Sequence, residues 1–568
     1  MNKEDLSPAA REILGPGGAY ELEEVDIRGV SMPVFKNAPP HLRDYFQAAL
    51  ENADATFYVY ESERYTFKEA WEQAEKVAAG LQTLGVQPGD RVGIAMRNYP
   101  EWVWSYMGIT SAGAVVVAMN AWWSGEEMMY GIEDSGLQTI IVDRERLEHL
   151  SPFLDEKDLN VIVVRTPHTS GHGVQSWDAF MDPTGPAADW PGIQPEDNAM
   201  ILYTSGSTAH PKGAVSSHRA IIHSLLGWDA TAALARANSG RLPRPRDKQP
   251  SMILTVPLFH VTGLNGQLLP SFRSGRKVVG MYKWDPEKAL AIIEREGITH
   301  FSGVPTMAYE LMDSPNYAKY DLSSLRSIGG GGAALTPKHL QRIDERGQKK
   351  TRPSAAYGMT ETNGLAASNS GDNLRERPTS CGKPLPPLVE IRIAGASGSE
   401  LPRGSTGEIQ IKGPMNFSGY WRRPEATAET FVDGWLRTGD IGHMDQDDYV
   451  YITDREKDLI IRGGENIGCP EVEAVIFDHP KVQECAVFGL PDDRLGESVA
   501  AVVMVKPDEI LTEGDIRSHV GDRLARFKVP AHLWIYKEQL PRTASGKIFK
   551  RELREQALEK LANAQAAG

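Results

Sequence analysis

The residues with the plainest chemical potential stand in one short stretch, Tyr203 to Val215, reading YTSGSTAHPKGAV. Thr204, Ser205, Ser207 and Thr208 offer hydroxyls, the backbone around Gly206 offers N–H groups, and Lys212 offers a point charge, a set suited to phosphate. The stretch is not a P-loop of the G-x-x-x-x-G-K-[ST] kind. Pro211 stands directly before Lys212 and biases His210 to extended backbone, so Lys212 should not open a helix as the lysine of a P-loop NTPase does. Taken alone, the same residues also read as a polar surface turn.

Other candidates lie further along the chain. SIGGGGAALTP carries four glycines that let backbone approach a flat ligand, then a helix with Thr336 as its cap and Pro337 at its first position. YGMTE sets Tyr357, Thr360 and Glu361 within five residues: an aromatic, a hydroxyl and a carboxylate. Asp440 sits in GWLRTGD, Arg455, Lys457, Gly463 and Gly464 in DREKDLIIRGGENI, and Lys547 in PRTASGK. His260, in PLFHVTG, follows an apolar strand, where a lone histidine is more often structural. In isolation Glu361 is a solvated acid, Asp440 a turn residue, the glycine pair a β-turn and Lys547 a surface lysine. His168 and His172, four apart, lie among Pro and Gly that disfavour the helix a metal pair would need. No G-x-S-x-G elbow supplies a covalent nucleophile.

Positioning these residues requires more than one domain, since the chain has 568 residues, 41% of them hydrophobic, and single cores stop growing near 250 to 300 residues. Runs such as DRVGIAM, GAVVVAMN, LQTIIVD, NVIVVR, AMILYTS and SMILTVPLF alternate with amphipathic stretches such as TFKEAWEQAEKVAAGLQTLG. That alternation predicts an α/β fold of mostly parallel sheets flanked by helices, with ligands at strand ends. Around the phosphate stretch it predicts strand, loop, then a helix capped at Ser217. Ala235 to Pro250, polar and proline-rich, reads as a surface loop. After Asp454 the texture becomes mixed, predicting a small α+β domain, and we divide the chain at 1–455 and 456–568. A net charge of −15 argues against wholesale binding of nucleic acid or an anionic membrane. Three cysteines without C-x-x-C spacing suggest neither a disulfide framework nor a zinc site, and a reducing cytoplasm fits them. The charged start is not a secretory signal, and the longest apolar run is too short to span a bilayer.

The YTSGSTAHPKG string resembles the signature loop of the adenylate-forming superfamily, which holds acyl-CoA synthetases, adenylation domains and luciferases. GGGGAAL, YGMTE, GWLRTGD, DREKDLIIRGGENI and PRTASGK follow in that superfamily's order. One departure is Ala209, where glycine is usual. The resemblance implies an acid–thiol ligase using ATP, Mg2+ and CoA: a carboxylate attacks the α-phosphorus, pyrophosphate leaves, and the acyl-adenylate is passed to a thiol. It implies that Thr204, Ser205, Gly206, Ser207, Thr208 and Lys212 hold ATP phosphates. Gly331 and Ala333 would line the adenine, Tyr357 stack on it, and Asp440 and Arg455 take the ribose. Thr360 would touch the α-phosphate, and Glu361 with Thr204 would hold Mg2+.

Lys547 would neutralise charge between carboxylate and α-phosphate, and His260 would line the carboxylate pocket. Gly463 and Gly464 would line a CoA tunnel after the small domain rotates about Lys457. Trp228, Val261, Gly263, Gly303 and Gly331 would neighbour the acyl chain. The texture is nearest to fatty-acyl-CoA ligases, which implies medium- or long-chain fatty acids. Aryl or alicyclic acids, or transfer to a carrier-protein thiol or an amine, are the alternatives, and a homodimer is among the assemblies allowed.

Overall fold

The computed structural model describes residues 7–156, 158–166, 173–182, 190–204, 211–239, 248–332, 335–347, 351–463, 465–544 and 546–566. Short β-branched runs become the parallel centres of two sheets. In the first, Asn198–Thr204, Val115–Ala118, Arg91–Ala95, Thr139–Val142, Asn160–Val163 and Val174–Ser176 lie side by side in that order. In the second, the parallel order is Arg352–Tyr357, Ser327–Gly331, His300–Gly303, Ser251–Leu254, Lys277–Gly280 and Thr56–Tyr60. VVVA and TIIV are buried at every position, as strands covered on both faces must be.

Helix Phe67–Thr83 starts from a capping box made by Thr66 and Glu69, and turns its apolar face, Phe67, Ala70, Trp71, Ala74, Val77 and Leu81 among it, inward. With helix Pro100–Ser111 it shares one core that also takes Phe57 and Val278 from the second sheet and Val92 and Val116 from the first. The strand ends that carry the candidate site are therefore fixed to one rigid body.

Two further sheets complete the molecule. An antiparallel one spans residues 390–455 and ends in the hairpin of Trp435–Met444 with Val450–Arg455. The last, in residues 460–536, has its own core around Ile460, Val472, Val487 and Val503, and helices Cys469–Asp478, Glu513–Gly521 and Lys550–Ala566 belong to this part. The mixed α+β texture expected after Asp454 is what forms.

Two local expectations change. Lys212–Ser217 is a strand, folded antiparallel onto Asn198–Thr204 with Thr204 opposite Lys212. The strands that flank the phosphate stretch thus pair antiparallel, and helix His218–Ser239 begins only after the second of them. Pro211 and the buried Gly213–Ser217 run favour extended backbone there. Ser217 does cap that helix, its Oγ accepting from the Ala220 N–H at 3.2 Å. The helix also extends through Ser239, into the stretch read as a loop, because helix Pro8–Leu14 packs on it through Ala10 and Leu234. Residues 240–247 of that stretch, and His168 and His172, lie outside the described residues.

Candidate active site

Tyr357 ends a central strand of the second sheet, and the chain then makes the single 3-10 turn Thr360–Thr362. The Tyr357 hydroxyl donates to Asp440 Oδ2 at 2.6 Å, and Arg455 Nε forms an ion pair with Asp440 Oδ1 at 2.8 Å. Asp440 and Arg455 meet because they are direct cross-strand partners. Burial pushes the Tyr357 hydroxyl well above its ordinary pKa, with Asp440 adding to the effect. Asp440 Oδ2 accepts one bond here and Oδ1 lies in the ion pair, and both oxygens have room for a further donor, as a diol would require.

Glu361 is buried, and burial raises its pKa against the opposing pull of the Tyr420 hydroxyl and Arg455. That hydroxyl donates to Glu361 Oε1 at 2.7 Å. Tyr420 belongs to a two-residue strand that pairs with Ala214 and Val215 of the phosphate hairpin, and the Lys212 ammonium lies 5.2 Å from its ring centroid. Thr204 Oγ1 donates to Lys212 O at 3.3 Å. Tyr420 therefore ties the phosphate hairpin to the acid turn. It was not among the residues picked out from the sequence, because its role comes from sheet pairing far from any motif. Ser205, Gly206, Ser207, Thr208 and Ala209 lie outside the described residues, as does Ala333.

A buried carboxylate suits a hard divalent cation, and Mg2+ commonly takes only one or two protein oxygens beside phosphate oxygens. Glu361, with the half-buried Thr204 hydroxyl as a second oxygen, fits such a partner in donor type. Among the described residues no three His, Cys, Asp or Glu side chains gather into a cage.

The glycine run is dictated by crowding. A Cβ on Gly330 (φ +154°) would lie 1.7 Å from Gly303 O, and one on Gly331 2.6 Å from Ala356 O. Gly332, at φ +88°, is where Lys547 arrives: a Cβ there would lie 3.2 Å from Lys547 Cε. The lysine rides on a turn closed by Gly546 N–H to Thr543 O and Thr543 N–H to Lys547 O. Burial by the surrounding protein, then Arg455, lower its pKa to about 8, with Asp440 opposing. The residue is nonetheless exposed to solvent, so the shift converts poorly into energy. His260 is lowered to about 4 by burial and then by Lys547. The residues after it form the π-helix Thr262–Leu268, a rare wide helical form that is frequent at functional sites.

The expected acyl neighbours divide. Val261 is buried, and a Cβ on Gly364 would meet its Cγ2 at 3.4 Å. Trp228 is half-buried against the cluster holding Tyr357 and Leu365. Gly303 faces Thr255 and Met307. Gly263 differs: its Cβ would lie 2.3 Å from Pro257 O, so the glycine is demanded by backbone packing inside the π-helix. Lys457 is exposed in the turn after Arg455. Gly463, at φ +60°, is exposed and bonded to Leu495 O, on a different turn of the small domain from Lys547; Gly464 lies outside the described residues.

Two contacts seat the small domain in this orientation. Phe477 stacks on His339, ring centroids 5.1 Å apart, while Lys338 Nζ donates to Phe477 O at 2.6 Å. Arg542 Nη2 donates to Glu310 Oε1 at 3.2 Å and also to Glu484.

Residues 45–421 match the family model described as AMP-binding enzyme, and residues 471–547 match that described as AMP-binding enzyme C-terminal domain. The chain belongs to the AMP-binding enzyme family. It is similar to feruloyl-CoA synthase of Amycolatopsis sp, 34% identical over 86% of this chain and 93% of that one. It is similar also to the long-chain-fatty-acid–CoA ligase FadD13 of Mycobacterium tuberculosis, at 33% over 87% and 93%. The crystal structure of the anthranilate CoA ligase AuaEII in complex with anthranoyl-AMP matches with a TM-score of 0.82 and 28% identity, covering 93% of this chain and 99% of that one. This AMP-binding enzyme is an ATP-dependent, AMP-forming acyl-CoA ligase of the adenylate-forming superfamily.

Proposed function

We propose that this ligase adenylates a hydrophobic carboxylic acid, medium- or long-chain fatty acids foremost, and that the structure is arranged for that first half-reaction. The observation that carries the reading is Lys547, brought from the C-terminal part of the chain against Gly332, where Arg455, Asp440 and His260 all lie within electrostatic range. There the ammonium neutralises charge between the attacking carboxylate and the α-phosphate. The stretch from Thr204 to Lys212, with Ser205, Gly206, Ser207 and Thr208, holds the β- and γ-phosphates. Gly331 and Ala333 line the adenine, Tyr357 stacks on it, and Asp440 with Arg455 binds the ribose hydroxyls. Glu361 and Thr204 would hold Mg2+, which neutralises phosphate charge when bound, and Thr360 contacts the α-phosphate. His260, kept neutral by burial, lines the carboxylate pocket without adding a second charge.

We divide the chain after Arg455, with Lys457 as hinge, since Val450–Arg455 still belongs to the antiparallel sheet and Ile460 opens the next. Transfer to CoA then follows rotation of the small domain, which withdraws Lys547 and turns Gly463 and Gly464 inward. The turn bearing Lys547 also roofs a cavity lined by Trp122, Phe259, Tyr282 and Met307, so that movement opens a second approach to the site.

Aryl acids are the second reading, favoured by Trp228 beside the Tyr357 cluster. Pyrophosphate release, with and without CoA, across straight-chain, branched, alicyclic and aryl acids separates the two. Turnover on fatty acids that needs CoA supports the first, turnover confined to aryl acids replaces it, and release unmoved by CoA points to another acceptor.

A further inference from the structure

The hairpin Leu22–Ile27 and Val30–Phe35 forms a two-stranded sheet of its own and precedes residues 45–421, the part that matches the family model. Its two-residue turn is Arg28–Gly29, at φ +56° and +80°. Gly suits the second of these positions, but arginine at the first holds a backbone conformation that β-carbon sterics disfavour. A strained residue calls for an account of what its side chain does. The guanidinium leaves the hairpin altogether: Nη1 donates to Phe417 O at 2.6 Å, and Nη2 reaches Asn416 O at 3.5 Å. It also lies 5.4 Å from the Phe431 ring centroid, and Phe431 stacks on Phe417.

Phe417 is held from its other side by the acid turn, its N–H donating to Glu361 O at 2.8 Å. Three residues on, Tyr420 donates to the Glu361 carboxylate and lies under Lys212. Between them, Ser418 N–H bonds Val215 O at 2.7 Å, and Trp421 N–H bonds Gly213 O at 2.7 Å. The segment Asn416–Trp421 is thus a bridge between the phosphate hairpin and the acid turn, and Arg28 clamps its first residues.

We propose that Arg28 is a positioning residue for adenylation: from the N-terminal hairpin it fixes the Phe417–Tyr420 bridge that sets Glu361 and Lys212 in register around MgATP. This rests on the reading of Glu361 as the metal-binding acid. It assigns the N-terminal hairpin to the first half-reaction alone, because attack of a thiol on an acyl-adenylate involves no β- or γ-phosphate.

The test compares the full-length wild type, Arg28→Ala, Arg28→Lys and Glu361→Gln in two assays with the best acid of the panel. One is pyrophosphate release as a function of MgATP; the other is thioester formation from the supplied acyl-adenylate and CoA. Arg28→Ala is expected to lower kcat/KM for MgATP by about tenfold, the scale of one lost charge-assisted hydrogen bond, with thioester formation unchanged. Arg28→Lys, which keeps the charge but not the two-carbonyl fork, should recover part of the loss. Equal losses in both assays would mark a merely structural role and overturn the proposal, as would an unaffected MgATP dependence. If Arg28→Ala does not fold, Arg28→Lys decides: a loss confined to pyrophosphate release supports the proposal, and wild-type kinetics overturn it. Glu361→Gln that adenylates like the wild type would remove the underlying reading of Glu361. A defective Glu361→Gln beside an unaffected Arg28→Ala would remove only the role of Arg28.

Discussion

An ammonium whose pKa has been lowered to about 8 by burial and by Arg455 is charged at neutral pH but loses its proton not far above it. In the role proposed for it the lysine serves as a cation, so the sign is fixed: the competent form is full below the lowered pKa and is lost as pH rises through it. Pyrophosphate release, followed as kcat/KM for MgATP against pH, should therefore fall above about 8, while thioester formation from supplied acyl-adenylate shows no such limb. An alkaline fall of the same size in both assays would contradict this. His260, lowered to about 4, is neutral throughout that range and should add no limb near the ordinary imidazole value. Lys547→Ala should cost pyrophosphate release roughly 100-fold or more, the scale of one preorganised electrostatic stabiliser, with thioester formation from the adenylate retained. Tyr420→Phe removes the hydroxyl that Glu361 accepts from in its buried setting. The protonated acid then becomes easier to reach, and the KM for MgATP should rise with little change in thermal midpoint.

At the scale of elements, the strand Ser327–Gly331 shows glycine serving two purposes a residue apart. Gly330 has no space for a Cβ, since Gly303 O stands 1.7 Å from where it would be. Gly330→Ala should destabilise the fold by about 2 kcal/mol or more, read as a lower thermal midpoint. Gly332, exposed just past the strand's end, would bring a Cβ nearest to side-chain atoms of Lys547 and Val304. Gly332→Ala, strained by its φ of +88° but not blocked by backbone, should lower the midpoint less than Gly330→Ala and slow adenylation selectively, because the new methyl meets the lysine stem; an unaffected adenylation rate would argue against Lys547 working from this position. Features of this kind decide what a sequence can show. Thr336 as a helix cap and the buried VVVA and TIIV strands follow from local type and spacing, and they form as read. Tyr420, Arg28 and the strand Lys212–Ser217 depend on partners hundreds of residues away or on which edge a strand finds, so no local pattern marks them. The π-helix after His260 is a third case, since its glycines and asparagine read equally well as a loop.

For the whole molecule, the rotation proposed above gives the small domain one orientation for each half-reaction, so the contacts holding the present orientation would set how long the enzyme stays in it. Among those contacts are Phe477 against His339 and Tyr309, Lys338 on the Phe477 carbonyl, and Arg542 between Glu310 and Glu484. His339 is kept neutral by burial, then by Lys338, which lower its pKa to about 4, so the stacked pair does not bring a second cation beside Lys338 at neutral pH. Aromatic contacts of this kind contribute about 0.5–1.5 kcal/mol beyond the area they bury, enough to change the ratio of two orientations severalfold without threatening either domain. Phe477→Ala, at the end of helix Cys469–Asp478, removes the ring but leaves the carbonyl that Lys338 binds. Its expected effect is a slower pyrophosphate release and an undiminished thioester formation from supplied acyl-adenylate, because only the orientation that delivers Lys547 has lost a contact. Glu310→Gln weakens the second contact from the large domain's side and should act in the same direction. If both variants slow the two assays equally, the contacts stabilise the small domain itself; if they slow the thioester step alone, Phe477 and Glu310 serve the other orientation, and the seating seen here is not what governs the rate of adenylation.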